Sequence, residues 1–322
     1  MRVAYVSSEL PGTRDAGPDD TLAPLRALED VAIVQGDGLG GLPDDAGEVE
    51  AIVTVLTDRV DAAALARLPA LRVVANVAVG YDNVDVAACA ARNIMVTNTP
   101  DVLTESTADL TFGLLLDAAR RITEGDRVVR AGGFGGWTPT FMLGQRVGGQ
   151  LLGIVGLGRI GRAVARRARG FGMRVLYSQR RRAPVEIERE LDATWVPLVD
   201  LFRSADFVSL HCPSTAETRH LVDAARLASM KPGSVLVNTA RGACVDEAAL
   251  AHALAHGPLA AAGLDVYEKE PRVHPGLLEL PNVVLAPHLG SADVPTRRAM
   301  ARTAVENAAA VLAGRPPPNP VR

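Results

Sequence analysis

The first residues whose spacing suggests chemistry are three glycines. Gly156-Leu157-Gly158-Arg159-Ile160-Gly161 follows the apolar run Leu151–Val155 and opens a helical stretch. In such a motif Gly156 permits a tight turn, Gly158 lets the backbone approach a pyrophosphate, and Gly161 allows helix and strand to pack closely. The helix N-terminus then faces the phosphates, with Arg159 and Ile160 in its first turn. Among 30 glycines the hexapeptide alone would say little. The strand before it and a second strand at Arg174–Tyr177 supply the βαβ context that predicts a dinucleotide site.

The end of that second strand bears on which dinucleotide. It reads Tyr177-Ser178-Gln179-Arg180-Arg181-Arg182, with Gln179 where an NAD site usually carries an acid. A carboxylate there would repel a ribose 2′-phosphate, whereas a neutral amide followed by guanidiniums attracts one. NADP(H) is therefore the expected preference, with NAD(H) possible, and Gln179, Arg180 and Arg181 are the expected contacts. Three adjacent arginines are also ordinary solvated surface, and not all three can face one phosphate.

These motifs need a framework to position them. Short β-branched runs alternate with Ala-rich helical stretches throughout, the pattern of an α/β fold with parallel sheets. Strands are expected near Val3–Val6, Ile52–Val55, Val73–Ala75 and Ile94–Val96, with helices such as Asp61–Leu68 and Val84–Arg92 between them. A long helix is expected from Glu105 to about Ala131, capped by Thr104 and ended by the glycines from Gly132 to Gly136. Beyond Leu151, strands are expected at Arg174–Tyr177, Phe207–Leu210, Val235–Asn238, Ala261–Leu264 and Val283–Ala286. The last helix, about Ala292–Ala313, stops before the Pro-rich stretch Arg315–Pro320.

This order predicts two Rossmann-like or flavodoxin-like, doubly wound parallel-sheet domains with an active-site cleft between them. Residues 1–98 plus 289–322 would hold the substrate, and residues 99–288 the dinucleotide. The crossings Thr97–Thr104 and His288–Ser291 would act as hinges. With 322 residues, 48% apolar and 22% charged, the chain can bury two cores and is not disordered. A net charge of −3 provides no field to recruit nucleic acid or anionic membrane. Cys89, Cys212 and Cys244 lack metal-ligand spacing and suit a reducing compartment. The start, MRVAYVSSEL, reads as a strand rather than a signal peptide, and no apolar run reaches spanning length. A cytoplasmic protein without a metal, nucleic-acid or membrane partner is expected.

Five further motifs follow one another in a telling order. They are Asn76-Val77-Ala78-Val79-Gly80-Tyr81-Asp82, Thr97-Asn98-Thr99-Pro100 with Asp101–Thr104, Asn238-Thr239-Ala240-Arg241-Gly242, Gly263–Pro271, and Pro287-His288-Leu289-Gly290-Ser291. Together they resemble the D-isomer-specific 2-hydroxyacid dehydrogenases over nearly the whole chain, most closely the glyoxylate/hydroxypyruvate reductase branch. In that family they are, in turn, the substrate-carboxylate loop, the hinge into the cofactor domain, and the segments carrying a catalytic arginine, glutamate and histidine. The resemblance implies NAD(P)H-dependent reduction of a small 2-keto acid to the D product, with Arg241, Glu270 and His288 catalytic. It also implies that Asp265 holds the nicotinamide carboxamide. Thr104, Thr239, Ala240, Cys212, Pro213 and Gly290 would then lie along the cofactor.

The chemistry of the residues agrees with those roles. Imidazole titrates near working pH, so His288 suits an acid–base, and a paired Glu270 would stabilise its charged form. Arg241 is a fixed cation suited to a carboxylate and a polarised carbonyl. The N–H groups of Val79 and Gly80 can take the remaining carboxylate oxygens, with Arg241 and His288 completing the substrate contacts. Plainer readings exist for each: a histidine after proline is often structural, Asp265 can simply end a strand, and Glu268 or Glu270 can be solvated. His252 and His256 share a helix face without an apparent third ligand.

Two departures from the family stand out. Val147-Gly148-Gly149-Gln150 lacks its usual Gly-Lys, and Gly132–Gly144 is a short glycine-rich loop. In relatives that loop reaches a partner's active site, often through an aromatic residue; Trp137 would do this, or anchor dimer packing. A homodimer is expected. Phosphoglycerate dehydrogenase is a neighbouring alternative, weakened by the lack of an appended serine-sensing domain after the last helix. A corepressor-like dimer that uses the dinucleotide as a ligand is the alternative outside enzymes, because it would share the fold.

Overall fold

The computed structural model describes residues 2–15, 17–43 and 46–321. Its contacts divide the chain into Met1–Leu103 with Ala292–Arg322, and Thr104–Ser291. The borders therefore fall at 103/104 and 291/292 rather than the expected 98/99 and 288/289. Thr104 opens a helix of the second unit, and the Gly290 carbonyl is held there by the hydroxyls of Ser106 and Thr107, at 3.1 and 2.9 Å.

Among the described residues the first unit has a five-stranded sheet: β1 (Arg2–Ser7), β2 (Val31–Gly36), β3 (Val49–Thr54), β4 (Val73–Asn76) and β5 (Met95–Thr97). All pairings are parallel, in the order β2-β1-β3-β4-β5, which is the flavodoxin-like winding. β3 and β4 contain several β-branched residues and are buried almost throughout, as central parallel strands must be when both faces are covered. The Val294–Leu312 helix packs against these two strands. Its first turn is capped by Asp293, which accepts the Thr296 N–H at 2.8 Å.

The second unit has a seven-stranded parallel sheet. Its strands are β6 (Leu151–Val155), β7 (Arg174–Ser178), β8 (Ala193–Trp195), β9 (Phe207–Leu210), β10 (Val235–Asn238), β11 (Ala261–Leu264) and β12 (Val283–Leu285). The order is β12-β11-β10-β9-β6-β7-β8, so the winding reverses between β6 and β9. Ligands of such sheets bind outside the carboxyl ends of the strands, at that switch point. The Thr104–Arg120 helix lies across β10 and β11 and buries Ala108, Phe112, Leu114 and Leu115.

The fold class is the expected one, with three local differences. The single helix expected from Glu105 to Ala131 is two, Thr104–Arg120 and Ile122–Arg130, separated by Arg121 in the left-handed region at φ 57°. Asp117 accepts the Thr123 N–H at 2.7 Å and the Thr123 hydroxyl at 2.5 Å, taking a donor that an unbroken helix would pair internally. Thr104 is the first residue of its helix rather than the cap. Two edge strands are additional to those expected from sequence: β2, which carries the short apolar run Val31–Val34, and β8, which spans three residues.

Candidate active site

The chemistry-bearing residues of the second unit sit on segments leaving the carboxyl ends of its strands. The glycine loop follows β6, Gln179–Arg181 follow β7, Arg241 follows β10, Glu270 lies beyond β11, and His288 follows β12. Because β10, β11 and β12 are consecutive neighbours, residues distant along the chain emerge side by side.

His288 Nδ1 lies 2.8 Å from Glu270 Oε2. Nδ1–H therefore donates to the carboxylate, which leaves Nε2 as the ring nitrogen not bonded to Glu270. Both side chains remain about one-third exposed, 34% for His288 and 37% for Glu270, so the pair is open to a ligand. His288 adopts the left-handed backbone region at φ 55°, unusual for a side chain of this size. Its N–H donates to the carbonyls of Asp265 and Ala286 at 3.0 and 3.1 Å, which hold that conformation.

Glu270 is fixed from its other oxygen, where Oε1 accepts the Tyr267 N–H at 3.0 Å. Burial works against its ionisation, but the His288 and Tyr267 hydrogen bonds and the charges of His288 and Arg241 outweigh it. The carboxyl is held below its ordinary range, so Glu270 is an anion near neutrality and Arg241 is close enough to be felt. Arg241 stands between two anchors. Asn238 Nδ2 donates to its carbonyl at 3.0 Å, and its guanidinium donates to the Ala240 carbonyl at 2.8 Å. The next residue, Gly242, touches the Tyr267–Glu268 peptide, where an added Cβ would lie 1.8 Å from the Tyr267 carbonyl carbon. The Arg241 and Glu270 segments are thus in direct backbone contact.

Asp265 is buried and accepts the N–H groups of Leu289 and Gly290 at 2.6 and 2.8 Å. Burial raises its pKa, and these two N–H bonds offset only part of the rise. The Thr239 hydroxyl pairs with that of Thr111 at 2.9 Å, tying the strand end to the Thr104–Arg120 helix.

The loop after β6 fits a pyrophosphate. Gly156 has φ +97°, and a side chain there would strike the His211 carbonyl, 2.7 Å from the Cβ position. A Cβ at Gly161 would lie 2.2 Å from the Gly156 carbonyl oxygen, so the helix approaches the strand as closely as backbones allow. Gly158 caps the Arg159–Gly170 helix without a side-chain hydrogen bond and has open space on its Cβ side. The loop thus leaves room for an anion at the helix N-terminus.

Beyond β7, Gln179 does not reach outward. Its Oε1 accepts the Leu157 N–H at 2.9 Å and its Nε2 donates to the Arg181 carbonyl at 2.7 Å, so both ends are used within the protein. Arg180 and Arg181 are exposed, while Arg182 is bonded through two nitrogens to Glu188, each at 2.8 Å. Cys212 and Pro213 follow β9, and the Cys212 sulfur lies 3.8 Å from that of Cys244 as free thiols. His252 and His256 are exposed and meet edge-on at 5.2 Å.

In the first unit, the Val79 and Gly80 carbonyls accept from Asn98 Nδ2 at 2.8 Å and Asn76 Nδ2 at 3.0 Å. A trans peptide sets its N–H opposite its C=O, so the Gly80 N–H points away from Asn98. Asn76 is fully buried and exchanges hydrogen bonds with Asn83 at 3.1 Å, which makes this loop rigid.

Two positioning groups lie outside the expected site residues, Glu247 without any motif signal and Tyr267 inside the Gly263–Pro271 motif but with no role assigned from sequence. Glu247, buried, accepts the Glu268 N–H at 2.7 Å, and Tyr267 donates its hydroxyl to the Ala286 carbonyl at 2.8 Å. The only sequence hint for Glu247 is an acid directly after the helix cap Asp246.

Comparison with known proteins gives the class. The sequence profile for the NAD-binding domain of D-isomer-specific 2-hydroxyacid dehydrogenases matches residues 112–290. The chain belongs to the D-isomer-specific 2-hydroxyacid dehydrogenase family. It is an oxidoreductase acting on CH–OH donors with a nicotinamide dinucleotide as cofactor. More particularly, it is 49% identical over 284 residues to a glyoxylate reductase of Thermococcus litoralis, covering 87% of this chain and 86% of that protein. A protein structure from Thermus thermophilus superposes with a TM-score of 0.90 at 44% identity, covering 99% of this chain and all of that one. The NADPH-dependent glyoxylate/hydroxypyruvate reductase of Sinorhizobium meliloti, solved with NADP and malonate, superposes at 0.85 with 38% identity. That match covers 100% of this chain and 97% of the other.

Proposed function

We propose that the protein reduces a small 2-keto acid, glyoxylate to the achiral 2-hydroxy acid or hydroxypyruvate to the D-2-hydroxy acid, with NADPH as preferred donor. The nicotinamide, when bound, supplies the hydride from C4. His288 gives the Nε2 proton to the carbonyl oxygen as negative charge develops there, and the anionic Glu270 holds the ring by Nδ1. Arg241 grips the substrate carboxylate and polarises the carbonyl, joined in the family pattern by the Val79 and Gly80 N–H groups. Asp265, in the same pattern, receives the nicotinamide carboxamide. The observation that carries the reading is the 2.8 Å His288–Glu270 pair, with Arg241 close enough to lower the Glu270 pKa.

NADPH preference rests on Gln179 in place of an acid and on exposed Arg180 and Arg181; Arg182 is engaged by Glu188. A homodimer is supported by the apolar side chains of Ile122, Val129, Phe134, Trp137 and Leu143, which are 54–80% exposed on one stretch of chain.

The test follows NADPH absorbance with a panel of 2-keto acids. Turnover is expected with glyoxylate and hydroxypyruvate, and chiral analysis of the hydroxypyruvate product should give the D isomer. Tight dinucleotide binding with no turnover on any small 2-keto acid would overturn the proposal.

A further inference from the structure

We infer that Tyr177, Arg182 and Glu188 form a lock that positions Arg180 and Arg181 for the 2′-phosphate, making Tyr177 and Glu188 determinants of cofactor choice without touching the cofactor. The inference rests on the NADPH reading above.

Between the buried Ser178 and Ala183 the chain is short, and its exposed part, Arg180–Arg182, is all of one charge, so left alone it would sample many conformations. It is instead tied at three points. Trp195 Nε1 donates to the Gln179 carbonyl at 3.3 Å, and Gln179 Nε2 donates to the Arg181 carbonyl at 2.7 Å. The Ala183 N–H donates to the Tyr177 hydroxyl at 2.9 Å. Arg180 and Arg181 stand between the first and last of these ties.

The last tie depends on Glu188. The Tyr177 hydroxyl can accept from Ala183 with its own proton directed elsewhere, and that proton goes to Glu188 Oε1 at 2.5 Å. Arg182 closes the network with two hydrogen bonds to the same carboxylate, at 2.8 Å each. Glu188 and Tyr177 are buried, on the helix Val185–Leu191 and the strand β7 respectively, so the loop is bolted to both elements flanking it. The Arg182 and Tyr177 bonds hold the Glu188 carboxyl down at about 2, so the lock stays charged throughout the working pH range. The lock also explains the run of three arginines. Arg182 is consumed as the counter-charge of Glu188, which leaves two guanidiniums for a ligand.

The experiment is steady-state kinetics of the full-length enzyme with NADPH and NADH in parallel. Tyr177→Phe removes the phenol oxygen and with it the links to Ala183 and Glu188, and the double change Glu188→Gln with Arg182→Gln removes the ion pair without altering net charge. Each should lower the NADPH-over-NADH ratio of kcat/KM by about fivefold or more, through a higher KM for NADPH, with NADH kinetics unchanged. Equal losses with both cofactors would mean a merely structural role and overturn the inference. So would an unchanged ratio in these variants while Arg180→Ala with Arg181→Ala collapses it. If the arginine pair variant itself keeps the wild-type ratio, the 2′-phosphate reading fails, and the lock with it.

Discussion

An imidazole that must deliver a proton at neutral pH needs a fixed partner, and Glu270 meets that need from 2.8 Å. Its pKa is depressed, so its anionic form contributes fully above the ordinary carboxylate range and is lost only as pH falls below that range. In Glu270→Gln the His288 Nδ1–H loses its anionic acceptor, and kcat/KM for keto-acid reduction at neutral pH should fall by about 10-fold or more if His288 acts as proposed. Steady-state kinetics of the two enzymes check this; a kcat/KM within about twofold of wild type would deny Glu270 its role. Residue types and order make this set nameable from sequence. The choice of Nδ1 as the bound nitrogen is not legible there, because it depends on where β11 and β12 deliver their loops.

Strand neighbourhood is what gathers the set. Arg241, Glu270 and His288 leave β10, β11 and β12, which are adjacent, and a Gly242 without Cβ lets two of those segments touch. Gly242→Ala forces the Arg241 and Glu270 segments apart. Turnover should drop by roughly 100-fold, since a shift of about 1 Å in a catalytic group costs that much. NADPH affinity, read by fluorescence titration, should change by less than about threefold if the glycine loop after β6 is undisturbed. Turnover within about twofold of wild type would show that the contact does not set the geometry. At this scale the elements are legible where apolar runs are continuous, as in β6 and β10. They are not at Arg121, because the side chain of Asp117 captures Thr123 and ends a helix whose periodicity runs on. Glu188 and Tyr177 are invisible in the sequence for the same reason: their meaning lies in a contact that only the folded loop creates.

For the whole molecule, the apolar side chains between Ile122 and Leu143 need a cover, and a second copy of the chain would provide it. Sedimentation should find a dimer. Replacing Phe134 and Trp137 by Asp should yield monomers, because two charges at an apolar contact leave nothing to offset their desolvation. A wild-type monomer at micromolar concentration would refute the dimer. As the proposed proton donor of a nicotinamide-dependent reduction, His288 is best tested by a single-turnover measurement of NADPH oxidation by glyoxylate in His288→Ala. The rate should fall by at least about 100-fold while NADPH still binds, as expected when a general acid is removed. Oxidation at close to the wild-type rate would contradict that role.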